Sequence, residues 1–103
     1  REFMFASDLA TFIWYAIDNF EKMPDLLNVG LGFDFTINEY YETIAKVIGF
    51  NGDFVHDLSK PVGMTQKLVD VSRLKEFGWE HTFTLEKGIE ETYKYFLDQV
   101  NNV

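Results

Sequence analysis

The sequence contains no cysteine, and only two of its 103 residues are histidine. Without thiols the chain can form neither a disulfide framework nor a thiolate metal site. The two histidines, His56 and His81, stand too far apart for the usual spacing of metal ligands. We therefore expect no metal centre and no cysteine nucleophile in this chain.

Long hydrophobic runs are also missing. No apolar stretch approaches the roughly 20 residues that a membrane helix needs. The first residues, "REFMFASDLA", lack the basic and then apolar layout of a signal peptide. The sequence thus predicts a soluble, cytoplasmic protein with no membrane partner.

Positive charge is scarce, because 9 basic residues stand against 17 acidic ones and the net charge is -8. Such a surface repels a phosphate backbone, so we expect no nucleic-acid partner. Residues 59–75 nevertheless hold four of the nine basic residues and one acid, Asp70, which makes that segment +3 and the remainder -11. This segregation is compatible with a solvated loop and helix face, or with a local anion site.

Apolar residues make up 47% of the chain and aromatic residues 17%, which suffices for one core but not for two domains. We predict a single domain over residues 1–103. Apolar periodicity predicts helices at 8–23, 37–48, 71–77 and 85–100, and strands at 2–6, 26–30, 53–57 and 67–70. The predicted fold class is α+β, with a small mixed sheet of about four short strands packed with about four helices.

Local signals support the helix predictions. Thr36 and Glu39 have the spacing of a capping box, in which each side chain bonds the other residue's backbone amide. The predicted N-caps of the other helices are Ser7 or Asp8, Asp70 and Thr84. In the first helix, the apolar positions with helical spacing are Leu9, Phe12, Ile13, Ala16, Ile17 and Phe20. These positions predict the face that packs on the core.

Gly30 and Gly32 superficially suggest a dinucleotide-binding turn. A third glycine at the required spacing is missing, and the next helix begins only after "FDF". We therefore reject a cofactor site at this turn.

Six segments carry a resemblance to a known family, and they run in order through essentially the whole chain. They are "REFMFASDLA", "NVGLG", "TINEYYETIAKVIGF", "SKPVG", "KLVDVSRLKEFGW" and "TLEKGIEETYKYFL". Together they resemble the C-terminal part of GDP-L-fucose synthase. That enzyme is an extended short-chain dehydrogenase that epimerises and then reduces GDP-4-keto-6-deoxy-mannose with NADPH.

The resemblance implies that residues 1–103 are the smaller, substrate-side domain of a nucleotide-sugar enzyme. The NADP-binding Rossmann domain and the catalytic residues of the family would then lie upstream of Arg1. We accordingly expect this chain to hold no cofactor and to catalyse nothing alone, while the parent protein uses NADP. The expected partners are a GDP-sugar, bound weakly by the isolated chain, and the Rossmann domain.

Three residues are candidates for substrate binding through this resemblance. Arg1 matches the arginine that opens the "REF" motif, and Lys67 matches the lysine that opens "KL(L/V)D". Both are placed beside the GDP portion of the substrate in that family. Lys60, in "SKP", is the third candidate. A guanidinium can hold two phosphate oxygens at once, and an ammonium adds a point charge beside a diphosphate.

Several departures from the family pattern affect the same loop. Where the family usually reads "SKPDGTPRKLLD", this chain has Val62, Met64, Thr65 and Gln66 at four altered positions. The loop thereby loses a rigid turn and one positive charge. One hypothesis is that it serves another GDP-sugar, such as a 6-deoxy-heptose. Two other possibilities stay open, namely a free-standing protein-association domain on the same scaffold, or a fragment of another NDP-sugar epimerase or dehydratase.

Overall fold

The computed structural model describes residues 1–102 and contains four α-helices and one 3-10 turn. Their bounds are α1 Ala6–Asp18, the 3-10 turn Phe20–Lys22, α2 Ile37–Ile48, α3 Ser72–Phe77 and α4 Leu85–Asn101. All four predicted helices are confirmed, and α2 has the predicted bounds. Helix α1 begins two residues earlier than predicted and gives way to the 3-10 turn after Asp18.

Two of the predicted caps are confirmed. The Thr36 hydroxyl accepts from the Glu39 amide at 3.1 Å, and the Glu39 carboxylate accepts from the Thr36 amide at 2.6 Å. At the start of α4 the Thr84 hydroxyl accepts from the Lys87 amide at 3.2 Å. Helix α2 ends at Gly49, which has a positive φ of 74°.

The predicted caps of α1 and α3 are wrong. Helix α1 begins after Phe5, which offers no side-chain cap, so neither Ser7 nor Asp8 serves as its N-cap. Helix α3 begins after Val71. The Asp70 carboxylate lies one residue too early and instead accepts from the Ser72 amide at 2.8 Å and the Ser72 hydroxyl at 2.6 Å.

The predicted sheet is wrong, because residues 1–102 contain no strand. The backbones of Arg1 and Phe35 do exchange two hydrogen bonds, from the Arg1 amino group at 2.8 Å and from the Phe35 amide at 3.1 Å. A sheet needs such pairs to repeat along both segments, and this one stands alone.

Two carboxylates accept hydrogen bonds from backbone amides that could otherwise bond a neighbouring strand. Glu2 accepts from the Leu31 amide, from the Gly32 amide at 3.1 Å and from the Val69 amide at 3.4 Å. It therefore ties together three of the apolar segments. Asp8 joins α1 to residues 82–83 in the same way, and its side chain is 1% exposed. The predicted strand segments 2–6 and 67–70 are thus connected through the Glu2 side chain, which period-two patterns do not reveal.

The buried core lies between the inner side of α1 and α3. Its buried members are Phe12, Val71, Leu74 and Trp79. The ring of Phe12 meets that of Trp79 edge to face, with centroids 5.4 Å apart. Of the predicted core face of α1, only Phe12 is buried and Ala16 half-buried, so the prediction is wrong for the other four positions.

Helices α2 and α4 pack against each other beside the N-terminal segment. Gly88 of α4 is buried, and a Cβ there would lie 3.3 Å from the Phe5 Cβ. The absence of a side chain at this position therefore lets α4 pack closely against the N-terminal segment. Within residues 1–102, no helix has the length and apolar character needed to cross a bilayer.

Candidate anion-binding site

Arg1 lies against the loop that carries the other two candidate cations. Its Nη1 donates a hydrogen bond of 2.8 Å to the carbonyl of Met64. The Arg1 carbonyl accepts from the Tyr40 hydroxyl and from the Phe35 amide, so the backbone of Arg1 is held on α2 and on the segment before it. The guanidinium is thereby positioned beside residues 63 and 64.

The start of this loop is shaped by Asp57. Its carboxylate accepts from the amide of Ser59 at 3.0 Å and also from the Ser59 hydroxyl. These bonds favour the ionised form and lower the pKa of Asp57. The Lys60 amide donates to the Asp57 carbonyl at 3.4 Å, which completes a tight turn. The Lys60 side chain leaves the end of this turn and is exposed.

Lys67 follows Met64 by three residues in an extended, exposed stretch. The carboxylate nearest to it in sequence, Asp70, is held by Ser72, and these bonds lower the pKa of Asp70. Among residues 1–102 the ion pairs are Lys46 with Glu86, Lys87 with Glu90 and Lys94 with Glu91. Arg1, Lys60 and Lys67 take part in none of these pairs.

The structure thus places the Arg1 guanidinium on the segment that also carries Lys60 and Lys67. The three cations belong to one exposed loop and its border, and no carboxylate among the described residues neutralises them. Such an arrangement suits an anion with several phosphate oxygens. Their role in substrate binding stays a prediction.

An apolar cavity of about 510 Å³ lies elsewhere, between the N-terminal segment, α2 and α4. Its walls include Phe3, Phe35, Ile44, Ile89 and Phe96, and none of the three candidate cations. Such walls suit apolar groups rather than a diphosphate. Sequence reasoning did not predict this cavity. The alternating aromatic residues of "EFMF" and "FDF" were its signal, because alternate side chains of an extended segment share one side.

Sequence reasoning also missed the roles of Asp8, which joins α1 to residues 82–83, and of Glu2, which lies beside the site. Glu2 follows Arg1 directly and bonds the amide of Val69, two residues beyond Lys67. It therefore links the two segments on which the candidate cations lie. An acid inside the apolar run "REFMF" was a usable signal, since a charge in such a run usually has a buried partner.

No protein-family model matches the chain. Among curated proteins, GDP-L-colitose synthase of Yersinia pseudotuberculosis is 59% identical over 102 residues, which are 99% of this chain and 33% of that protein. GDP-L-fucose synthase of Azorhizobium caulinodans is 47% identical over 97 residues, 94% of this chain and 31% of that protein. The Escherichia coli K12 GDP-L-fucose synthase is 42% identical over 108 aligned positions, covering 95% of this chain and 33% of that protein.

Two solved structures that are similar to this chain are also GDP-sugar enzymes. A GDP-6-OMe-4-keto-L-xylo-heptose reductase from Campylobacter jejuni superposes with a TM-score of 0.87 at 30% identity, over 96% of this chain and 31% of the other. The C. jejuni GDP-mannoheptose C4 reductase, solved with NADP bound, gives 0.83 at 29% identity, over 94% and 31%.

The chain is therefore a homologue of one part of the enzymes that make or reduce GDP-sugars. Within that class it is similar to one part of the GDP-L-fucose and GDP-L-colitose synthases, which confirms the resemblance carried by its motifs. It spans about a third of the length of the curated relatives that it matches.

Proposed function

We propose that this chain is the GDP-sugar-binding part of a longer, NADP-dependent GDP-sugar epimerase and reductase, and is not catalytic alone. The observation that carries the proposal is the 59% identity to GDP-L-colitose synthase over 99% of the chain. A matching reductase that was solved with NADP bound supports NADP as the cofactor of the longer protein. In this proposal the chain corresponds to the C-terminal, substrate-side domain, and its first partner is the Rossmann domain of the same polypeptide.

The candidate anion site gives this function a physical basis. Arg1 would hold phosphate oxygens through its guanidinium, while Lys67 and Lys60 would add two ammonium charges along the same loop. Each charge-assisted hydrogen bond to a phosphate contributes about 1.5–3 kcal/mol. The acidic remainder of the chain would disfavour longer polyanions. This combination suits one nucleoside diphosphate rather than a nucleic acid.

Titration of GDP into the longest natural chain that contains this sequence tests the proposal. We expect saturable binding that Lys67→Ala weakens at least about tenfold, since loss of one charged contact is worth about 1.5–3 kcal/mol. Lys94→Ala is the matched control, because Lys94 is an exposed lysine that pairs with Glu91 on α4. Equal GDP affinity in the two variants would contradict the role of Lys67. Equal binding of UDP and GDP would instead favour another NDP-sugar enzyme.

For the sugar, we propose that the substrate is related to that of the colitose synthase rather than to a heptose. The sequence identity is 59% to the colitose synthase and 30% to the heptose reductase with the higher TM-score. Comparing turnover of the corresponding GDP-keto-sugars by the longer protein tests this preference. A higher kcat/KM for the heptose derivative would overturn it and would restore the heptose hypothesis.

A further inference from the structure

Glu2 places a carboxylate directly after Arg1, at the border of the candidate anion site. Its Oε1 accepts from the amides of Leu31 and Gly32, and its Oε2 accepts from the Val69 amide at 3.4 Å. Glu2 takes part in none of the ion pairs among residues 1–102. The charge of an acid beside an anion site opposes binding. A carboxylate at this place therefore needs a function that offsets the repulsion.

The segment 64–69, which carries Lys67, contacts residues 1 and 2 at both of its ends. At one end, the Met64 carbonyl accepts from the Arg1 Nη1 at 2.8 Å. At the other end, the Val69 amide donates to the Glu2 Oε2. Two consecutive residues thus hold the segment, and Lys67 lies between the two contacts in sequence.

The Glu2 carboxylate is itself held in place by its surroundings. A Cβ at Gly30 would lie 2.4 Å from the Glu2 Oε1 and 2.6 Å from the Val69 Cγ2, so the glycine leaves room for both neighbours. The Gly32 amide donates to the same Oε1 at 3.1 Å. Val69 packs against the buried core. The carboxylate is therefore fixed between residues 30–32 and Val69.

We propose that Glu2 is a positioning residue of the anion site, because its bond to Val69 fixes the backbone of Lys67 relative to Arg1. With the two cations held at a set separation, the site binds two linked phosphates in preference to one. The ligand group is accordingly a diphosphate, which Glu2 helps to select without touching it. This inference rests on the proposed function, because it takes Arg1 and Lys67 as the phosphate ligands.

The Glu2→Gln variant separates this role from a simple effect of charge. Glutamine has one acceptor oxygen, and its NH₂ group donates. That oxygen can keep the bonds from the amides of Leu31 and Gly32, which leaves the NH₂ group facing the Val69 amide without a bond. Removing a negative charge would by itself strengthen anion binding. Loss of positioning weakens it, so the two roles predict opposite signs.

Titration of GDP and of GMP into the longest natural chain that contains this sequence tests the proposal. We expect E2Q to lower the GDP affinity at least about fivefold, because a charge-assisted contact to phosphate is weakened. The ratio of GDP affinity to GMP affinity should fall at least about threefold, since a monophosphate depends less on the spacing of two cations.

Asp8→Asn is the matched control, because it makes the same chemical change in a carboxylate that joins α1 to residues 82–83. It should lower stability but leave the ratio of the two affinities unchanged. Partial unfolding reduces the apparent affinity for both nucleotides by the same factor. Glu2→Asp keeps the charge and is one methylene too short to keep both sets of bonds, so it should lower the ratio as E2Q does.

Unchanged or tighter GDP binding by E2Q would overturn the proposal, and so would an unchanged affinity ratio in both Glu2 variants. In a Lys67→Ala background, E2Q should have little further effect, because it acts through Lys67. Fully additive losses would also contradict this role. If Lys67→Ala weakens GDP binding and E2Q does not, this inference alone is wrong. If neither variant weakens it, the proposed function of Lys67 is wrong as well.

Discussion

The Asp8 carboxylate accepts hydrogen bonds from the amide and hydroxyl of Thr82, both at 2.9 Å, and from the Phe83 amide at 3.1 Å. Because the side chain is 1% exposed, water cannot replace these bonds. Asp8→Asn should therefore lower the free energy of unfolding by about 2–4 kcal/mol in a urea titration. The control is Asp18→Asn, on the exposed side of the same helix, for which we expect a change below about 0.5 kcal/mol. Equal effects of both substitutions would contradict the account.

Tyr40 gives the folded chain a pH dependence on the alkaline side. Burial raises the pKa of Tyr40, and the carboxylates of Asp34 and Glu2 raise it further. Because the folded state keeps this proton longer than the unfolded state does, stability falls as pH rises from the usual tyrosine pKa of about 10 through the raised value. Below that window the contribution is fully present. The Tyr40→Phe variant should show a shallower alkaline loss of stability in urea midpoints, and an unchanged slope would contradict this assignment.

At the scale of elements, the packing of the extended segments depends on Gly30. A Cβ at this position would lie 2.4 Å from the Glu2 Oε1 and 2.6 Å from the Val69 Cγ2. Gly30→Ala should therefore cost about 1–3 kcal/mol of stability, measured by urea unfolding, because one of these neighbours must move. Gly63→Ala is the matched control, since its Cβ would meet only the Arg1 Nη2, at 3.5 Å. A Gly63→Ala variant as unstable as Gly30→Ala would contradict this reading.

Helix α2 and the apolar segments differ in how far the sequence alone predicts them. The capping box of Thr36 and Glu39 is local, so both bounds of α2 follow from neighbouring residues. The apolar segments behave differently, because the bonds of Glu2 reach residues 29 to 67 positions away. Period-two alternation predicts an extended segment but not its partner. The prediction of a sheet is wrong for that reason.

For the candidate site too, the sequence predicts some features and not others. The clustering of basic residues at 59–75 is visible in the sequence alone. It does not distinguish an anion site from a solvated surface. Arg1 and Lys67 emerge as candidates only through the family resemblance. The contact of Arg1 with the loop that carries Lys60 and Lys67 depends on its bond to the Met64 carbonyl, which spans 63 positions in sequence. No local pattern predicts such a contact, and the same holds for the apolar cavity.

For the whole molecule, the exposed apolar side chains of α1 and the accessible surface of 8261 Å² agree with the one-third coverage of the relatives. The predicted core face of α1 is wrong for Leu9, Ile13, Ile17 and Phe20, because no other part of residues 1–102 covers them. The apolar periodicity nevertheless predicts that Leu9, Ile13 and Ile17 pack against other apolar residues.

The central claim is that this chain is the substrate side of a longer GDP-sugar reductase. The most direct test is to read the coding sequence immediately upstream of the Arg1 codon. The account predicts an open reading frame that encodes a strand, a glycine-rich turn and a helix. A start codon directly before Arg1, or an unrelated upstream domain, would contradict it and would leave a free-standing association domain as the better explanation.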